Sequence, residues 1–321
     1  MQRILITGAT GQIGSELTLA LRARYGGDQV VASGRKRLPN TAMKESGPFV
    51  YLDVTDQAAL AQVVADFHID TIYHLAALLS AVAEAKPQLA WQVNMGGLLN
   101  VLEVCRQQGC ALFFPSSIGA FGPTTPPDHT PQVTLQHPTT IYGISKLSGE
   151  LLCAYYYQRF GVDCRGVRFP GLISALTAPG GGTTDYAVEI FHAAVAGQPY
   201  CCFLGPDSRL DMMYMPDAIR AAISLMEADA DRLTQRNAYN VTAMNFTPAE
   251  LARAIHKEVP GFTISYNIDP VRQAIADSWP HSMDDSVARR EWEWQPHYDL
   301  TAMVTDMLAA LATDTTGRKT P

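Results

Sequence analysis

Residues 3–14, RILITGATGQIG, decide the fold of this chain. A short apolar run typical of a buried strand leads into three glycines and then into the helix-like run 15–22. Glycine lets a backbone turn tightly and approach a bound pyrophosphate, which then lies where the free N–H groups of a helix favour an anion. The spacing is GxxGxxG, which differs from the common GxGxxG fingerprint. The predicted cofactor contacts of this turn are Gly8, Gly11, Gln12, Ile13 and Gly14.

Strand-like and helix-like segments alternate from this turn to residue 170. The apolar strands are predicted at 3–7, 29–33, within 49–56, and at 71–77, 111–115 and 162–169. Such alternation predicts an α/β fold, a doubly wound parallel sheet of Rossmann type with both faces covered. After Gly171 the elements become shorter and mixed. We therefore predict a dinucleotide-binding domain over 1–170 and a smaller, substrate-facing α/β lobe over 171–321, with some segments packing back on the first domain.

Tyr142 and Lys146 are predicted to lie one turn apart on a helix that runs to about Phe160. A lysine charge beside a tyrosine, together with a positively charged nicotinamide, favours the phenolate and lowers the phenol's pKa from about 10. Tyr142 is therefore a candidate general base. The pair alone is a weak signal, because the same spacing occurs by chance on solvated helices.

Two adjacent serines end the strand predicted at 111–115. Ser117 precedes Tyr142 by 25 residues, and the intervening loop, 122–140, contains five prolines. Ligands of open parallel sheets lie beyond the carboxyl ends of the strands. Ser116 and Ser117 are therefore both candidates for the site, and the spacing is long enough for the loop to return a helix past the end of the strand.

The adenosine end of the predicted cofactor site departs from the usual NAD pattern. Gly34 and Arg35 follow the second strand, where a carboxylate usually holds the ribose hydroxyls. Arg35 could stack on adenine, meet a 2′-phosphate or remain solvated. Asp53 is predicted to reach the adenine amino group. Asn94 lies in an apolar helix and, if buried, must be hydrogen-bonded, either to the cofactor or to backbone that it braces.

Composition excludes several classes of protein. The 321 residues are 47% hydrophobic with a net charge of −7, which argues against a general nucleic-acid binder. The six cysteines form no CxxC or Cys/His metal pattern, so we expect free thiols, a reducing compartment and no metal. No apolar run reaches the roughly 18 residues of a membrane span. We expect a cytoplasmic protein without a membrane segment, whose polar tail, 313–321, is frayed.

Jointly, the glycine turn, Asn94, Ser117 and the Tyr142–Lys146 pair resemble the extended short-chain dehydrogenase/reductase family in order and spacing. The resemblance covers nearly the whole chain. It continues through 94–100, 209–217 and 239–241. Within the family, four stretches resemble the members that oxidise L-threonine: 76–80, 115–122, 180–186 and 276–280.

The resemblance implies NAD-dependent oxidation of L-threonine at its 3-hydroxyl to L-2-amino-3-ketobutyrate. Tyr142 would remove the hydroxyl proton, Ser117 or Ser116 would hold the hydroxyl oxygen, and Lys146 would bind the nicotinamide ribose. A homodimer through the helices at 87–108 and 139–160 is also implied. The further implied cofactor contacts are Arg35, Asp53, Val54, Leu75, Ala76, Ala77, Asn94 and Phe169.

Substrate contacts are expected from three places beyond the catalytic group. Thr183 and Thr184 would bind the carboxylate of threonine, or would cap a helix after the glycine loop. Ser80 would assist, or cap the next helix. Trp279 would close over the methyl group, although packing in the core is the stronger interpretation for a tryptophan.

Two rival functions remain open. The first is an extended-family enzyme acting on nucleotide sugars, because Arg209 lies where such enzymes place a diphosphate-binding arginine. The second is a non-catalytic protein that senses dinucleotides, which needs the glycine turn but no tyrosine base.

Overall fold

A central parallel sheet and two small sheets make up the strands of the computed structural model, which describes residues 1–177 and 180–317. The strands are β1 (Ile4–Thr7), β2 (Val30–Gly34), β3 (Phe49–Tyr51), β4 (Thr71–His74), β5 (Ala111–Ser117), β6 (Cys164–Phe169), β7 (Gly171–Ile173), β8 (Tyr200–Cys202), β9 (Leu210–Tyr214), β10 (Tyr239–Asn240), β11 (Met244–Phe246) and β12 (Ile264–Tyr266). The helices are α1 (Gln12–Tyr25), α2 (Thr41–Glu45), α3 (Gln57–Asp66), α4 (Ser80–Ala85), α5 (Pro87–Trp91), α6 (Gly97–Gln108), α7 (Ile141–Phe160), α8 (Tyr186–Val195), α9 (Met215–Glu227), α10 (Pro248–Glu258), α11 (Pro270–Asp277), α12 (Ser286–Trp292) and α13 (Leu300–Gly317).

The central sheet has seven strands in the order β10-β6-β5-β4-β1-β2-β3, and every neighbouring pair is parallel. Its two faces are both buried, as β1 shows: Leu5 packs in an apolar cluster with residues of α3, α6 and α7, whereas Ile4 and Ile6 pack with residues of α1 and α9. This is why β1 is a continuous apolar run. The predicted doubly wound α/β fold is confirmed. The strand order reverses between β1 and β4, where such a sheet opens a crevice at its carboxyl edge.

The second half of the chain has its own apolar cluster. A three-stranded sheet, β11-β9-β7, and a two-stranded sheet, β12-β8, contribute to it together with α8, α10 and α13. Part of this half lies in the first unit, because β10 pairs with β6 and α9 packs against α1. The division into 1–170 and 171–321 stays a prediction.

Several predicted boundaries differ from the structure. The fourth strand ends at His74 instead of Ala77, and Asn94 lies in a π-helical turn, Gln92–Gly96, between α5 and α6. The tail predicted to fray is helical as far as Gly317, because buried Leu311 anchors α13 in the second cluster. Residues 318–321 of that tail lie outside the described residues.

The cysteines and the helices bear on the expectations from composition. All six cysteines are free thiols, as predicted, and Cys201 is the exposed one. Across 1–177 and 180–317, no three His, Cys, Asp or Glu side chains are grouped to hold a metal ion. No helix within the described ranges has the length and apolarity to span a membrane.

The turn after β1 leaves no room for a side chain at Gly14. A Cβ built there would lie 2.4 Å from the carbonyl oxygen of Gly8 and 2.7 Å from Cα of Ala9, whereas one built at Gly96 would meet no described atom within 4 Å. We predict that Gly14→Ala lowers the free energy of unfolding by about 1–3 kcal/mol. The control Gly96→Ala should leave it unchanged or raise it by up to about 1 kcal/mol. Urea denaturation followed by tryptophan fluorescence measures both, and equal effects would contradict the packing argument.

Candidate active site

The glycine turn between β1 and α1 forms one wall of a cleft at the carboxyl edge of the sheet. Gly8 has φ of +72°, and a Cβ there would lie 2.7 Å from the backbone nitrogen of Ala76, so the turn packs directly on the segment after β4. Gly11 occupies the N-cap position of α1 and has no side chain to satisfy the free N–H groups of the first turn. The turn therefore has the geometry of an anion cradle.

Three adjoining cavities contain the predicted site residues. The main cleft lies between the glycine turn and α7. It is lined by Gly8, Gly11, Gln12, Ile13, Gly14, Leu75, Ala77, Ser80, Ser116, Ser117, Tyr142, Lys146, Phe169, Thr183, Thr184 and Trp279. A groove that shares Gly8 and Ala77 continues over the ends of β2 and β3 and is lined by Arg35, Asp53, Val54 and Ala76. Asn94 lines a small cavity that also contacts Lys146.

Tyr142 and Lys146 share one face of α7. The ammonium of Lys146 lies 5.5 Å from the centre of the phenol ring and donates to the carbonyl oxygen of Pro115 at 2.6 Å. Burial lowers the pKa of Lys146 to about 8, an effect that the carboxylate of Glu150 opposes.

Burial also acts on the phenol. It raises the pKa of Tyr142 above its ordinary value, and a hydrogen bond with Ser117 opposes the rise. The expectation that Lys146 and a positively charged nicotinamide together lower this pKa stays a prediction, because in the protein alone burial of the phenol sets the direction of the shift.

The two adjacent serines have different surroundings. The hydroxyl of Ser117 accepts a hydrogen bond from the backbone nitrogen of Gly119 at 3.1 Å and faces the phenol of Tyr142. The hydroxyl of Ser116 instead donates to the buried carboxylate of Glu150. The hydroxyl proton of Ser116 is thus used in a hydrogen bond within the protein, whereas the hydroxyl of Ser117 lies beside the phenol of Tyr142.

Glu150 belongs to a buried ion pair beneath the cleft. Its carboxylate binds the guanidinium of Arg168 at 2.8 Å, and both side chains are less than a tenth exposed. Arg168 also donates to the carbonyl oxygen of Gln132 at 2.9 Å and to Oδ1 of Asn240 at 3.0 Å. The pair therefore fixes the proline-rich loop to β6 and β10. Sequence reasoning missed Glu150, although it follows Lys146 by the same four residues that separate Lys146 from Tyr142.

The loop before α8 presents polar groups to the cleft from the second half of the chain. Neither Thr183 nor Thr184 occupies the N-cap position of α8, which is Asp185. The carboxylate of Asp185 accepts hydrogen bonds from the backbone nitrogens of Gly181 and Gly182, both at 2.7 Å. Burial raises the pKa of Asp185. Asp185 also lines the cleft, and an acidic residue three positions after the glycine run was the available signal for it.

Two buried polar atoms in the cleft have no hydrogen-bond partner among the described residues. They are Nε2 of Gln12, at the start of α1, and Oγ1 of Thr183, on the opposite wall. Buried polar groups are almost always satisfied, so unpaired ones that line a cavity indicate a polar ligand. Together with the glycine turn, they fit a phosphate-bearing dinucleotide and a small polar substrate.

The remaining predicted residues have mixed settings. Ser80 is the first residue of α4, is buried and lines the cleft. Trp279 belongs to the apolar cluster of the second lobe and also lines the cleft, so both interpretations of it apply. Asn94 braces backbone: its Oδ1 accepts from the nitrogen of Leu78 at 2.8 Å, and its Nδ2 donates to Ser145 Oγ at 3.3 Å.

Comparison with known proteins gives a consistent result. Residues 4–242 match the model of the NAD dependent epimerase/dehydratase family. An uncharacterized epimerase/dehydratase of Staphylococcus haemolyticus is 54% identical over 311 residues, which cover 97% of this chain and 98% of that protein. The L-threonine dehydrogenase of Clostridium difficile has a structure with a TM-score of 0.96 and 54% identity, covering 98% of each chain.

Two further similar solved structures are also L-threonine dehydrogenases. A GalE-like L-threonine dehydrogenase from Cupriavidus necator, in its holo form, has a TM-score of 0.93 and 56% identity over 96% of this chain and 99% of its own. A monomeric L-threonine 3-dehydrogenase from a metagenome has a TM-score of 0.93 and 44% identity over 97% and 99%. The resemblance predicted from the sequence is confirmed.

Proposed function

The chain belongs to the NAD dependent epimerase/dehydratase family, and from this premise we propose that it oxidises L-threonine at the 3-hydroxyl, giving L-2-amino-3-ketobutyrate and NADH. The observation that carries the proposal is the meeting of Tyr142, Ser117 and Lys146 in one cleft with the glycine turn. Solved structures more than half identical to this chain are L-threonine dehydrogenases, which supports the same substrate.

In the proposed reaction the bound nicotinamide supplies the acceptor for a hydride. Tyr142, as phenolate, takes the proton of the 3-hydroxyl while the hydride leaves C3, so that the C3–O bond becomes a carbonyl. Ser117 holds the hydroxyl oxygen, and the ammonium of Lys146 contributes positive charge and a donor for the nicotinamide ribose. General base catalysis typically contributes about 10²–10⁴-fold, and positioning supplies much of the remainder.

The other polar groups of the cleft suit a small zwitterion. The unpaired hydroxyl of Thr183, with Thr184 beside it, would donate to the carboxylate of threonine. Ser80 lies across the cleft and would assist. Trp279 would cover the methyl group with its apolar face. In a confined site, a few hydrogen-bond donors at fixed positions are enough to orient a small substrate.

The nucleotide-sugar alternative loses its main support. Arg209, the residue that favoured it, binds Glu250 at 2.7 Å and Asn245 at 2.9 Å, and it does not line the cleft. A diphosphate would have to displace both partners. If the protein bound NAD tightly but did not reduce it with threonine, the nucleotide-sugar alternative would again be favoured.

We also propose that the protein is cytoplasmic and acts as a homodimer. Six free thiols suit a reducing compartment. Exposed apolar side chains lie on α5, α6 and α7, the helices expected at the dimer interface: Leu89, Trp91, Leu99, Leu151 and Tyr155. Closed two-fold dimers are the commonest soluble oligomers.

Of the predictions that follow from the proposed function, the first concerns Tyr142 as the general base. With purified protein, NAD and L-threonine, NADH absorbance should rise, and Tyr142→Phe should lower kcat by about 100-fold or more because the phenolate is lost. Reduction that persists in the variant would remove Tyr142 from the mechanism. An inactive wild-type protein that still binds NAD would favour the dinucleotide-sensing alternative or the nucleotide-sugar one, which binding of UDP would distinguish.

The second prediction compares the adjacent serines. Ser117→Ala should lower kcat for threonine oxidation by about 10²-fold, because it removes the group beside the phenol that would hold the reacting oxygen. Ser116→Ala should retain most of the activity and instead lose stability, by about 1–3 kcal/mol, because it leaves the buried Glu150 with one donor fewer. A larger loss of kcat in Ser116→Ala would reverse the assignment.

The third prediction tests the dimer by light scattering. The wild-type mass should be about twice 34.9 kDa. Leu151→Glu should give the single-chain mass, because it places a charge in the proposed apolar interface. Val271→Glu, at an exposed apolar position on α11, is the control and should not change the mass. A wild-type mass of one chain, as in the monomeric relative, would overturn the proposal.

A further inference from the structure

The groove at the adenosine end of the site is positively charged where NAD-specific sites usually carry a carboxylate. We propose that it accepts a ribose 2′-phosphate, so that the protein binds NADP as well as NAD, with Arg35 as the principal phosphate ligand. The inference rests on the proposed dinucleotide site, but it does not depend on threonine being the substrate.

Gly34 is the first part of the argument. It ends β2, and a Cβ built on it would lie 3.2 Å from Oγ1 of Thr10, which lines the same groove. A side chain at this position would therefore point towards the glycine turn, where a carboxylate binds the ribose 2′-hydroxyl and repels a 2′-phosphate. Glycine has no carboxylate, so it neither binds the 2′-hydroxyl nor repels a 2′-phosphate. It also leaves the space of a side chain open, and both properties favour binding of the phosphate.

Arg35 forms a long, exposed ion pair that an anionic ligand could replace. Its side chain is 53% exposed, and its guanidinium lies 3.7 Å from the carboxylate of Asp53, beyond hydrogen-bond distance. The backbone nitrogen and the hydroxyl of Thr55 bind Oδ1 of Asp53, at 3.0 and 2.7 Å, whereas Arg35 faces Oδ2. An exposed pair of this kind is weak. Rotation of Arg35 towards a phosphate would thus exchange a loose contact for a planar, two-pronged one.

Neighbouring charges reinforce this preference. The guanidinium of Arg37 reaches across to the carbonyl oxygen of Thr10 at 3.4 Å, which places a second cation at the groove, and exposed Lys36 lies between the two arginines in the chain. Asp53 is the one acidic residue among those that line the groove. The local balance is therefore positive, although the whole chain carries a net charge of −7.

Binding of cofactor fragments that lack nicotinamide tests the proposal without any turnover. Calorimetry would compare ADP-ribose with 2′-phospho-ADP-ribose on the full-length protein, on Arg35→Ala and on Arg253→Ala, which removes an exposed cation from α10. Arg35→Ala should raise the ratio of the Kd for the phosphorylated fragment to that for ADP-ribose about tenfold or more. Arg253→Ala should leave the ratio within about twofold. A smaller change in Arg35→Ala overturns the assignment.

A second pair of variants isolates the charge at position 34. Gly34→Ala and Gly34→Asp add the same Cβ beside Thr10, so their difference reports the carboxylate. Gly34→Asp should weaken the phosphorylated fragment about tenfold relative to Gly34→Ala and leave ADP-ribose at least as tightly bound. Equal effects of the two substitutions would overturn the proposal.

These fragments also separate this inference from the proposed function. If neither fragment binds the wild-type protein, the dinucleotide site itself is wrong, and this proposal falls with it. If both bind with the expected ratios while threonine is not oxidised with NAD or NADP, the proposed substrate is wrong and the 2′-phosphate site stands.

Discussion

The parallel pairing of β1 with β4 is the constraint on which the site depends. The strands run in register from Ile4 opposite Thr71 to Thr7 opposite His74, and the backbone nitrogen of Leu75 still donates to Thr7 at 3.0 Å. A hydrogen bond of 2.8 Å between the side chains of Thr7 and His74 closes the pair. Burial lowers the pKa of His74 to about 3, so the ring stays neutral and adds no charge near Lys146. Beyond this point Gly8 still packs on Ala76, and the glycine turn and the segment 75–80 both line the cleft.

A network of buried polar groups beneath the cleft fixes the segments that line it. Arg168 and Glu150 have lost most of their water, and such a pair costs free energy unless each remaining donor and acceptor finds a partner. Here the guanidinium also binds Gln132 and Asn240, and the carboxylate also accepts from Ser116. The network connects β5, α7, the proline-rich loop and β10. It explains how residues far apart in the chain keep Ser117 and Tyr142 at a fixed separation.

The sequence predicted what depends on local pattern and missed what depends on distant partners. Apolar runs identified the central strands because both faces of the sheet are buried, and the glycine spacing identified the turn because Gly8 and Gly14 have no room for a side chain. The fourth strand was predicted too long because the apolar residues after His74 line the cleft instead of pairing. Arg168 could not be assigned from sequence, since its partners lie on three other segments. The position of Asp185 at the start of α8 likewise depends on contacts with Gly181 and Gly182.

The pKa shifts in the cleft explain why the proposed base needs its cofactor. Burial favours the neutral form of each group, so it raises the pKa of Tyr142 and lowers that of Lys146 to about 8. A cationic ring beside them would oppose the first shift and reinforce the second. Lys146 resists the loss of its proton because it donates to the carbonyl oxygen of Pro115 and lies one turn from Glu150. The phenol of Tyr142 has Ser117 as a hydroxyl partner, and the ammonium of Lys146 lies 5.5 Å from its ring centre, so the charge of a bound ligand would bear strongly on its ionisation. In the proposed function, the phenol would thus be activated when the oxidised cofactor binds, whereas the partners of Lys146 favour its charged form.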